Sequence, residues 1–323
     1  MDEQAFERER LQLFRDHGFE GRSVWLDDAA LGCRTYAIVR GEGPCPTVLV
    51  HGGIADASVW YRLAAHLEGP IIILDRPGHG LSSTIDYTGL DYQQHAAAWL
   101  KGVVDALGVG QVNLVGNSMG GYFSVVFALA HSSRVRRIVL AGAPAGMDRS
   151  LPLFLRLWGR PLVGRVISAM IERTREPAQM RARVFAEMCT HPERISDAAL
   201  RIVRVAGTKP GWHSMIRSMV RAVSDLGGWR PALSIREPMA DLAVPTLFAW
   251  GDHDSFAPPS SALALAPRMP AARVEILDDA GHLPQLDQPE VLARSIHRFF
   301  DESPCDARHT SVAATSVTKG IHQ

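Results

Sequence analysis

The chain has 323 residues, with 34 basic and 34 acidic side chains, so its formal net charge is zero. A protein that binds nucleic-acid phosphates usually carries a basic excess, so this balance excludes nucleic acid as the expected partner. Hydrophobic residues make up 46% and charged residues 21%, a composition typical of globular proteins, and the length suffices for one large α/β domain with an inserted subdomain.

The N-terminal segment is charged throughout and lacks the apolar stretch of a secretion signal. No apolar run approaches the length of about 18 residues that a membrane span needs. The four cysteines lie far apart and form no Cys-x-x-Cys pair, which argues against a metal site and a disulfide framework. We therefore expect a soluble, cytoplasmic protein without a membrane contact and without a metal ion.

Short apolar runs bounded by glycine, proline or aspartate alternate along the chain with helical patterns. Continuous apolar runs are typical of strands that are buried on both faces, as in a parallel sheet covered by helices. The predicted strands, in chain order, are 24–26, 34–39, 47–50, 71–74, 112–115, 138–140, 246–250 and 274–277, with the first two forming a hairpin at one edge. The predicted helices are 58–68, 91–107, 119–131, 260–266 and 289–300. This order predicts an α/β fold with a doubly wound, mostly parallel sheet of eight strands.

Residues 147–240 interrupt this alternation. They show helical apolar patterns broken by proline and glycine, with no clear strand. We expect a helical cap inserted into a core that comprises residues 1–146 and 241–300. Residues 301–323 are polar, small and aperiodic, which predicts a disordered tail.

The predicted cap is basic although the whole chain is neutral. It carries sixteen basic and eight acidic side chains, a net charge of +8, so the remainder of the chain carries −8. One interpretation is that the cap arginines pair with core carboxylates and cover apolar surface with their stems. The alternative hypothesis is that one or two of them, such as Arg201, Arg204 or Arg217, face the cleft and attract a carboxylate-bearing substrate.

A Gly-x-Ser-x-Gly motif at residues 116–120 follows a predicted strand and opens a predicted helix. In that context the tight turn exposes the hydroxyl of Ser118 in a strained backbone position, as a nucleophile requires, although a serine there could also simply cap the helix. A serine nucleophile needs a base and a carboxylate that orients the base. Asp254 and His282 follow in that order, each after a later strand, with Asp252 as the competing carboxylate.

Acyl transfer also needs backbone N–H donors for the oxyanion of its transition state. The amide of Met119, directly after the serine, offers one donor at a helix N-terminus. The glycine-containing loop after the strand 47–50 offers the other, and we assign it to Gly53.

Five ordered motifs together resemble the α/β-hydrolase superfamily. They are HGG at 51–53, DRPGHG at 75–80, GNSMG at 116–120, WGDHDSFAP at 250–258 and DAGHLPQLDQPE at 279–290. The resemblance covers residues 20–300 and implies Ser118 as nucleophile, Asp254 as acid and His282 as base, beneath a helical cap. The superfamily's haloalkane dehalogenases and epoxide hydrolases use an aspartate as nucleophile, so the serine argues against both.

The elbow GNSMGG resembles that of hydrolases that cleave carbon–carbon bonds in meta-cleavage products of aromatic catabolism. Those enzymes typically carry a longer glycine-rich oxyanion loop than the HGGIADASVW of this chain, and carboxylesterases use similar elbows. We therefore expect a cofactor-independent serine hydrolase of a small-molecule carboxylic ester, with carbon–carbon hydrolysis and a non-catalytic ligand-binding protein as alternatives. The residues expected to line its pocket are Ile54, Trp158, Phe185, Trp212 and Met215.

Overall fold

The computed structural model describes residues 1–28, 31–173, 183 and 186–302. Eight strands form one sheet in the order β1–β2–β4–β3–β5–β6–β9–β10. The strands are β1 (Arg22–Asp28), β2 (Cys33–Arg40), β3 (Thr47–Val50), β4 (Ile71–Leu74), β5 (Val112–Gly116), β6 (Val135–Ala141), β9 (Thr246–Gly251) and β10 (Ala272–Leu277). Only β1 with β2 and β2 with β4 pair antiparallel in this sheet. The predicted doubly wound, mostly parallel, eight-stranded sheet is therefore confirmed.

Alternate residues of the central strands pack into two separate apolar clusters, one on each face of the sheet. Val48 and Val50 belong to one cluster and Leu49 to the other, and all three are fully buried. This double burial explains why the strands are continuous apolar runs. The helices of the core are Glu3–Asp16, Tyr61–Ala64, Tyr92–Ala106, Met119–Ala130, Ser260–Leu265, Pro284–Asp287 and Pro289–Asp301. The predicted helix 58–68 is shorter in the structure, where a 3₁₀ turn, Ala57–Trp60, precedes Tyr61–Ala64.

The N-terminal helix Glu3–Asp16 has no counterpart among the predicted elements. Its charged residues conceal an apolar face that includes Phe6 and Phe14, and Asp2 caps its first turn. Arg10 lies on the same buried face, where its Nη1 donates to both oxygens of Asp75 at 2.9 and 2.8 Å. A charged residue thus occupies a buried position of the helix, and the sequence pattern did not reveal the apolar face for this reason.

The segment between β6 and β9 is mainly helical, as the sequence predicts, with the bounds 147 and 240 remaining a prediction. Its helices are Leu153–Trp158, Pro161–Arg173, Asp197–Ala206, Trp212–Val223 and Arg236–Met239. The expectation of no strand is wrong, because β7 (Ser224–Asp225) and β8 (Gly228–Trp229) form a short antiparallel hairpin. Two-residue strands, here joined by Leu226 and Gly227, are too short for an alternating pattern to reveal them.

The predicted tail begins too early. Asp301 still belongs to the last helix, and the carboxylate of Glu302 forms an ion pair with Arg273. The remainder of the predicted tail, 303–323, lies outside the described residues. Within the described ranges, no helix has both the length and the apolar character needed to cross a lipid bilayer.

Candidate active site

Ser118 occupies a sharp turn between β5 and the helix Met119–Ala130. Its backbone has φ 53° and ψ −116°, a conformation that costs a non-glycine residue about 1–3 kcal/mol. The turn needs glycine on both sides, because a Cβ on Gly120 would lie 1.8 Å from the carbonyl oxygen of Val50. A Cβ on Gly116 would lie 2.7 Å from backbone atoms of the following helix. Close backbone packing therefore explains the Gly-x-Ser-x-Gly spacing and holds the serine in its strained position.

His282 and Asp254 lie side by side at the carboxyl edge of the sheet. The imidazole Nδ1 lies 2.9 and 3.0 Å from the two carboxylate oxygens, and both side chains are almost fully buried. The carboxylate also accepts hydrogen bonds from the backbone amides of Ala143 at 2.8 Å and Phe256 at 2.9 Å. Burial by itself raises the pKa of Asp254, but the adjacent imidazole and these amides outweigh it and hold the pKa below its ordinary value.

The His282 ring is held on a second side by Phe256. The two rings stack with their centroids 4.1 Å apart and an angle of 25° between their planes. The remaining ring nitrogen, Nε2, makes no hydrogen bond to any residue that the structure describes. Both His282 and Ser118 line one cavity. The imidazole is thus fixed in orientation, with its second nitrogen available for a proton.

Asp252, the competing carboxylate, lies at the surface. Its Oδ1 accepts hydrogen bonds from Nδ1 of His253 at 2.7 Å and from the backbone amide of Ala280 at 3.1 Å. No contact between Asp252 and His282 is present among the described residues. The geometry therefore favours Asp254 as the partner of the imidazole.

The glycine loop after β3 packs directly against the serine turn. A Cβ on Gly52 would lie 3.3 Å from the Cβ of Ser118, and one on Gly53 would lie 3.2 Å from the Cγ of Met119. His79 supports this loop, because its ring nitrogens lie within hydrogen-bond distance of two carbonyl oxygens, Nε2 at 2.7 Å from Gly53 and Nδ1 at 3.0 Å from Pro77. Burial is the main cause, and the nearby guanidinium of Arg76 the second, that lowers the pKa of His79 to about 3. The ring therefore stays neutral. The structure thus brings together the two residues whose amides were predicted to bind an oxyanion.

The cavity above Ser118 has a volume of about 490 Å³ and mainly apolar walls. Ile54, Trp158 and Trp212 line it, as predicted. The prediction is wrong for Met215, which is not part of the cavity wall. Its side chain packs against Gly78 instead and fills the space that a Cβ of that glycine would take. Phe185 lies outside the described residues.

The cavity wall carries no lysine or arginine among the described residues. Arg201, Arg204 and Arg217 all lie elsewhere, so the hypothesis that they face the cleft is wrong. Arg217, for example, donates to the hydroxyl of Ser168 at 2.7 Å. The described arginines of this segment therefore lie outside the wall of the space above the serine.

Sequence reasoning missed two side chains that join the parts of this site. The Nδ2 of Asn117 donates to the carbonyl oxygens of Ala141 at 2.6 Å and His282 at 2.9 Å, so it ties the serine turn to the histidine loop. The only signal for it was a polar residue between a buried strand and the serine. The stacked Phe256 had a similar signal, since it follows Asp254 by two positions and lies in the same loop.

Asp287 is the third missed residue. It is buried, and its carboxylate accepts hydrogen bonds from the amides of Gly281 at 2.8 Å and of Thr190 and His191 at 3.0 Å. These contacts join the histidine loop to the segment between β6 and β9. An acid two positions before the helix that starts at Pro289 is typical of an ordinary helix-terminus residue, so the sequence did not reveal this role.

The arrangement contains the groups that nucleophilic acyl transfer requires. A strained serine and an imidazole share one cavity, a buried carboxylate orients the imidazole, and two loops with available amides meet at the serine.

The sequence model of the Alpha/beta hydrolase family matches residues 47–295. A 2-hydroxy-6-oxononadienedioate/2-hydroxy-6-oxononatrienedioate hydrolase of Burkholderia vietnamiensis is 28% identical over 270 residues, which cover 80% of this chain and 88% of that protein.

Solved structures of two hydrolases share the architecture. A mutant of a meta-cleavage product hydrolase superposes with a TM-score of 0.69 at 25% identity, over 88% of this chain and 98% of that one. The naproxen esterase of Bacillus subtilis superposes with a TM-score of 0.66 at 21% identity, over 93% and 97%, a similarity that concerns the fold alone.

Proposed function

This chain belongs to the alpha/beta hydrolase family, and from that premise we propose that it is a serine hydrolase. Its proposed substrates are carboxylic esters whose acyl group is apolar and carries no charge. The observation that carries the proposal is the mainly apolar cavity of about 490 Å³ above Ser118, whose described wall lacks a cationic side chain. Such a cavity favours an acyl or alcohol group that loses water readily and carries no charge.

In the proposed reaction, the Oγ of Ser118 attacks the acyl carbonyl carbon while Nε2 of His282 takes the hydroxyl proton. Asp254 orients the imidazole and stabilises its charged form. The amides of Met119 and Gly53 donate to the oxyanion of the tetrahedral intermediate. His282 then returns the proton to the leaving alcohol, which gives the acyl-enzyme, and afterwards activates a water molecule that releases the acid.

The electrostatics of the wall support an uncharged substrate. Among the residues that the structure describes, the ionisable side chains that line it, besides two histidines, are the acids Asp56, Asp148 and Glu187. A carboxylate placed in the cavity would lose hydration without gaining a guanidinium or ammonium partner there.

A second candidate is the hydrolysis of a carbon–carbon bond in a meta-cleavage product. It is favoured by the relative from Burkholderia vietnamiensis, whose name describes hydrolysis of a dienedioate, a compound with two carboxylates. The absence of a cation from the described cavity wall opposes such a substrate. Both reactions use the same serine and histidine, so only the substrate separates them.

The test compares three substrates at equal ionic strength: an aryl ester of a medium-chain fatty acid, the matched ester whose acyl chain ends in a carboxylate, and a vinylogous diketo acid. We expect kcat/KM for the neutral ester to exceed that for its anionic partner by at least tenfold. Turnover of the diketo acid alone would reject ester hydrolysis and select the second candidate.

Covalent labelling separates an enzyme from a binding protein on the same fold. A fluorophosphonate probe is expected to label Ser118, identified by mass spectrometry of the digested protein. Ser118→Ala should remove the label, whereas Ser133→Ala, at an exposed position outside the cavity, should retain it. A wild-type chain that resists labelling would contradict the covalent route.

A further inference from the structure

A second cavity lies beside the one above Ser118 and differs from it in chemistry. It has a volume of about 550 Å³. Its polar lining residues are three arginines, three serines and Asp148. We call this cavity the arginine cleft and define it by Arg149, Arg230, Arg236, Ser234, Ser260 and Ser261.

The guanidinium groups of the arginine cleft use few of their donors. Each carries five N–H donors, and its described side-chain contacts use one nitrogen. Arg236 lies 3.3 Å from Asp148, and Arg149 lies 3.5 Å from Asp225. Both separations exceed the 2.7–2.9 Å of a strong charge-assisted hydrogen bond. Arg230 donates to a backbone carbonyl oxygen at 3.1 Å.

Two buried polar atoms of the cleft have no hydrogen-bond partner among the described residues. They are the Nε of Arg230 and the Oδ2 of Asp148. Both atoms are shielded from solvent, so they offer no contact points to a ligand in the cleft, and binding there depends on the other nitrogens of the arginines. The three arginines against the one lining carboxylate also leave the cleft with an excess of positive charge.

We propose that the arginine cleft binds a small organic molecule through an oxyanion, either a carboxylate or a phosphate group. The planar guanidinium fork matches both groups in two-point contacts, and the serine hydroxyls can donate to the remaining oxygens. The volume exceeds what a single oxyanion fills, which leaves space for the organic part of the ligand.

The arginine cleft is distinct from the proposed catalytic cavity, although the two share a wall. Gly146, Asp148 and Trp229 line both, while the three arginines line only the cleft. The Trp229 indole is fixed by a hydrogen bond from Nε1 to the carbonyl oxygen of Leu233 at 2.9 Å. Binding in the cleft therefore requires no reaction at Ser118, and its test is independent of the proposed function.

Isothermal titration calorimetry on the full chain tests the proposal, with benzoate, phenyl phosphate and inorganic phosphate as probes at matched ionic strength. We expect one-to-one binding of benzoate or phenyl phosphate, and a rise in Kd of about tenfold for Arg230→Gln and for Arg236→Gln. Arg149→Gln should weaken binding as well, and its exposed side chain makes it the variant that is safest for folding. The control is Arg268→Gln, which breaks the exposed ion pair with Glu237 outside the cleft and should retain the wild-type affinity.

The probes also identify the ligand chemistry. Tighter binding of benzoate than of phenyl phosphate assigns a carboxylate, and the reverse order assigns a phosphate ester. Inorganic phosphate that bound as tightly as either organic probe would overturn the claim of an organic ligand. The proposal as a whole fails if no probe produces more heat than sodium chloride, or if all three cleft variants bind like the wild type.

Discussion

The strained backbone of Ser118 predicts an unusual order of stability between two substitutions at that position. Its φ of 53° and ψ of −116° are close to those of the first central residue of a type II′ turn, a position dominated by glycine. Ser118→Gly removes the strain, whereas Ser118→Ala retains it. We therefore expect the glycine variant to be the more stable of the two.

The magnitude follows from two opposing terms. The strain costs about 1–3 kcal/mol, and glycine loses about 0.5–1 kcal/mol more backbone entropy on folding than alanine. Taken at their limits, the two terms leave a net preference for Ser118→Gly of about 0–2.5 kcal/mol, with about 1.2 kcal/mol at the middle of both ranges. Unfolding entropy of about 2.1 cal/mol/K per residue, over a chain of 323 residues, converts the middle value into a difference in Tm of roughly 2 °C.

Thermal and urea unfolding, followed by circular dichroism, measure this difference, and the chain supplies a matched control. Ser124 lies in the regular part of the helix Met119–Ala130, where its hydroxyl donates to the carbonyl oxygen of Gly120 at 2.8 Å. There the order should reverse, with Ser124→Gly less stable than Ser124→Ala by about 1 kcal/mol. If Ser118→Ala proved as stable as Ser118→Gly while the control pair behaved as expected, the strain argument would be wrong.

Three further predictions concern the acid, the packing of the turn and the pH dependence of stability. Asp254→Asn should lower kcat for ester hydrolysis by about 10³–10⁴-fold because the imidazole loses its orienting carboxylate. The control Asp252→Asn should change kcat less than about threefold. Equal losses in the two variants would contradict the choice of Asp254 as the acid. Gly120→Ala places a Cβ 1.8 Å from a carbonyl oxygen of β3 and should cost about 3 kcal/mol or more in urea unfolding, whereas Gly110→Ala, with open space around it, should be neutral or slightly stabilising. His79 has a pKa of about 3 in the folded protein and is neutral there, whereas in the unfolded chain it takes up a proton near pH 6.5. The free energy of unfolding should therefore fall as the pH drops below 6.5, by about 2 kcal/mol for this ring between pH 7 and pH 5. Urea unfolding at these two pH values should show a smaller fall in His79→Gln, and an unchanged fall would refute the role of this imidazole.

Local sequence determined the positions of the strands of the sheet and of the serine turn. Apolar runs that end in glycine or aspartate predicted all eight strands of the sheet, and the signal is clearest for β3, β4, β5 and β9, which are buried along their whole length. The spacing of Gly116, Ser118 and Gly120 predicted the turn, since a backbone that packs this closely excludes any Cβ at the two glycines. The strands and the serine turn depend on residues that are neighbours along the chain, so the sequence alone predicts them.

Other features depended on contacts between distant segments. The Arg10–Asp75 pair joins residues 65 positions apart, and no local pattern announces that a charge in a helix will be buried. Likewise the net charge of +8 between residues 147 and 240 gave no indication of where its arginines lie. Arg149, Arg230 and Arg236 line a separate cleft, and no described arginine lines the cavity above the serine. A net charge contains no information about the direction in which each charged side chain points.

The choice between Asp252 and Asp254 shows the same division. The sequence by itself determined that a carboxylate and His282 follow the serine in the order that a triad needs, because strand ends of a parallel sheet meet at one edge. The resemblance pointed to Asp254, but only the tertiary structure shows which carboxylate lies at the imidazole: Asp254 is buried beside the ring, and Asp252, two residues earlier, turns to the surface. The physical reason is that chain order sets which loops share an edge, whereas the direction of each side chain depends on long-range packing.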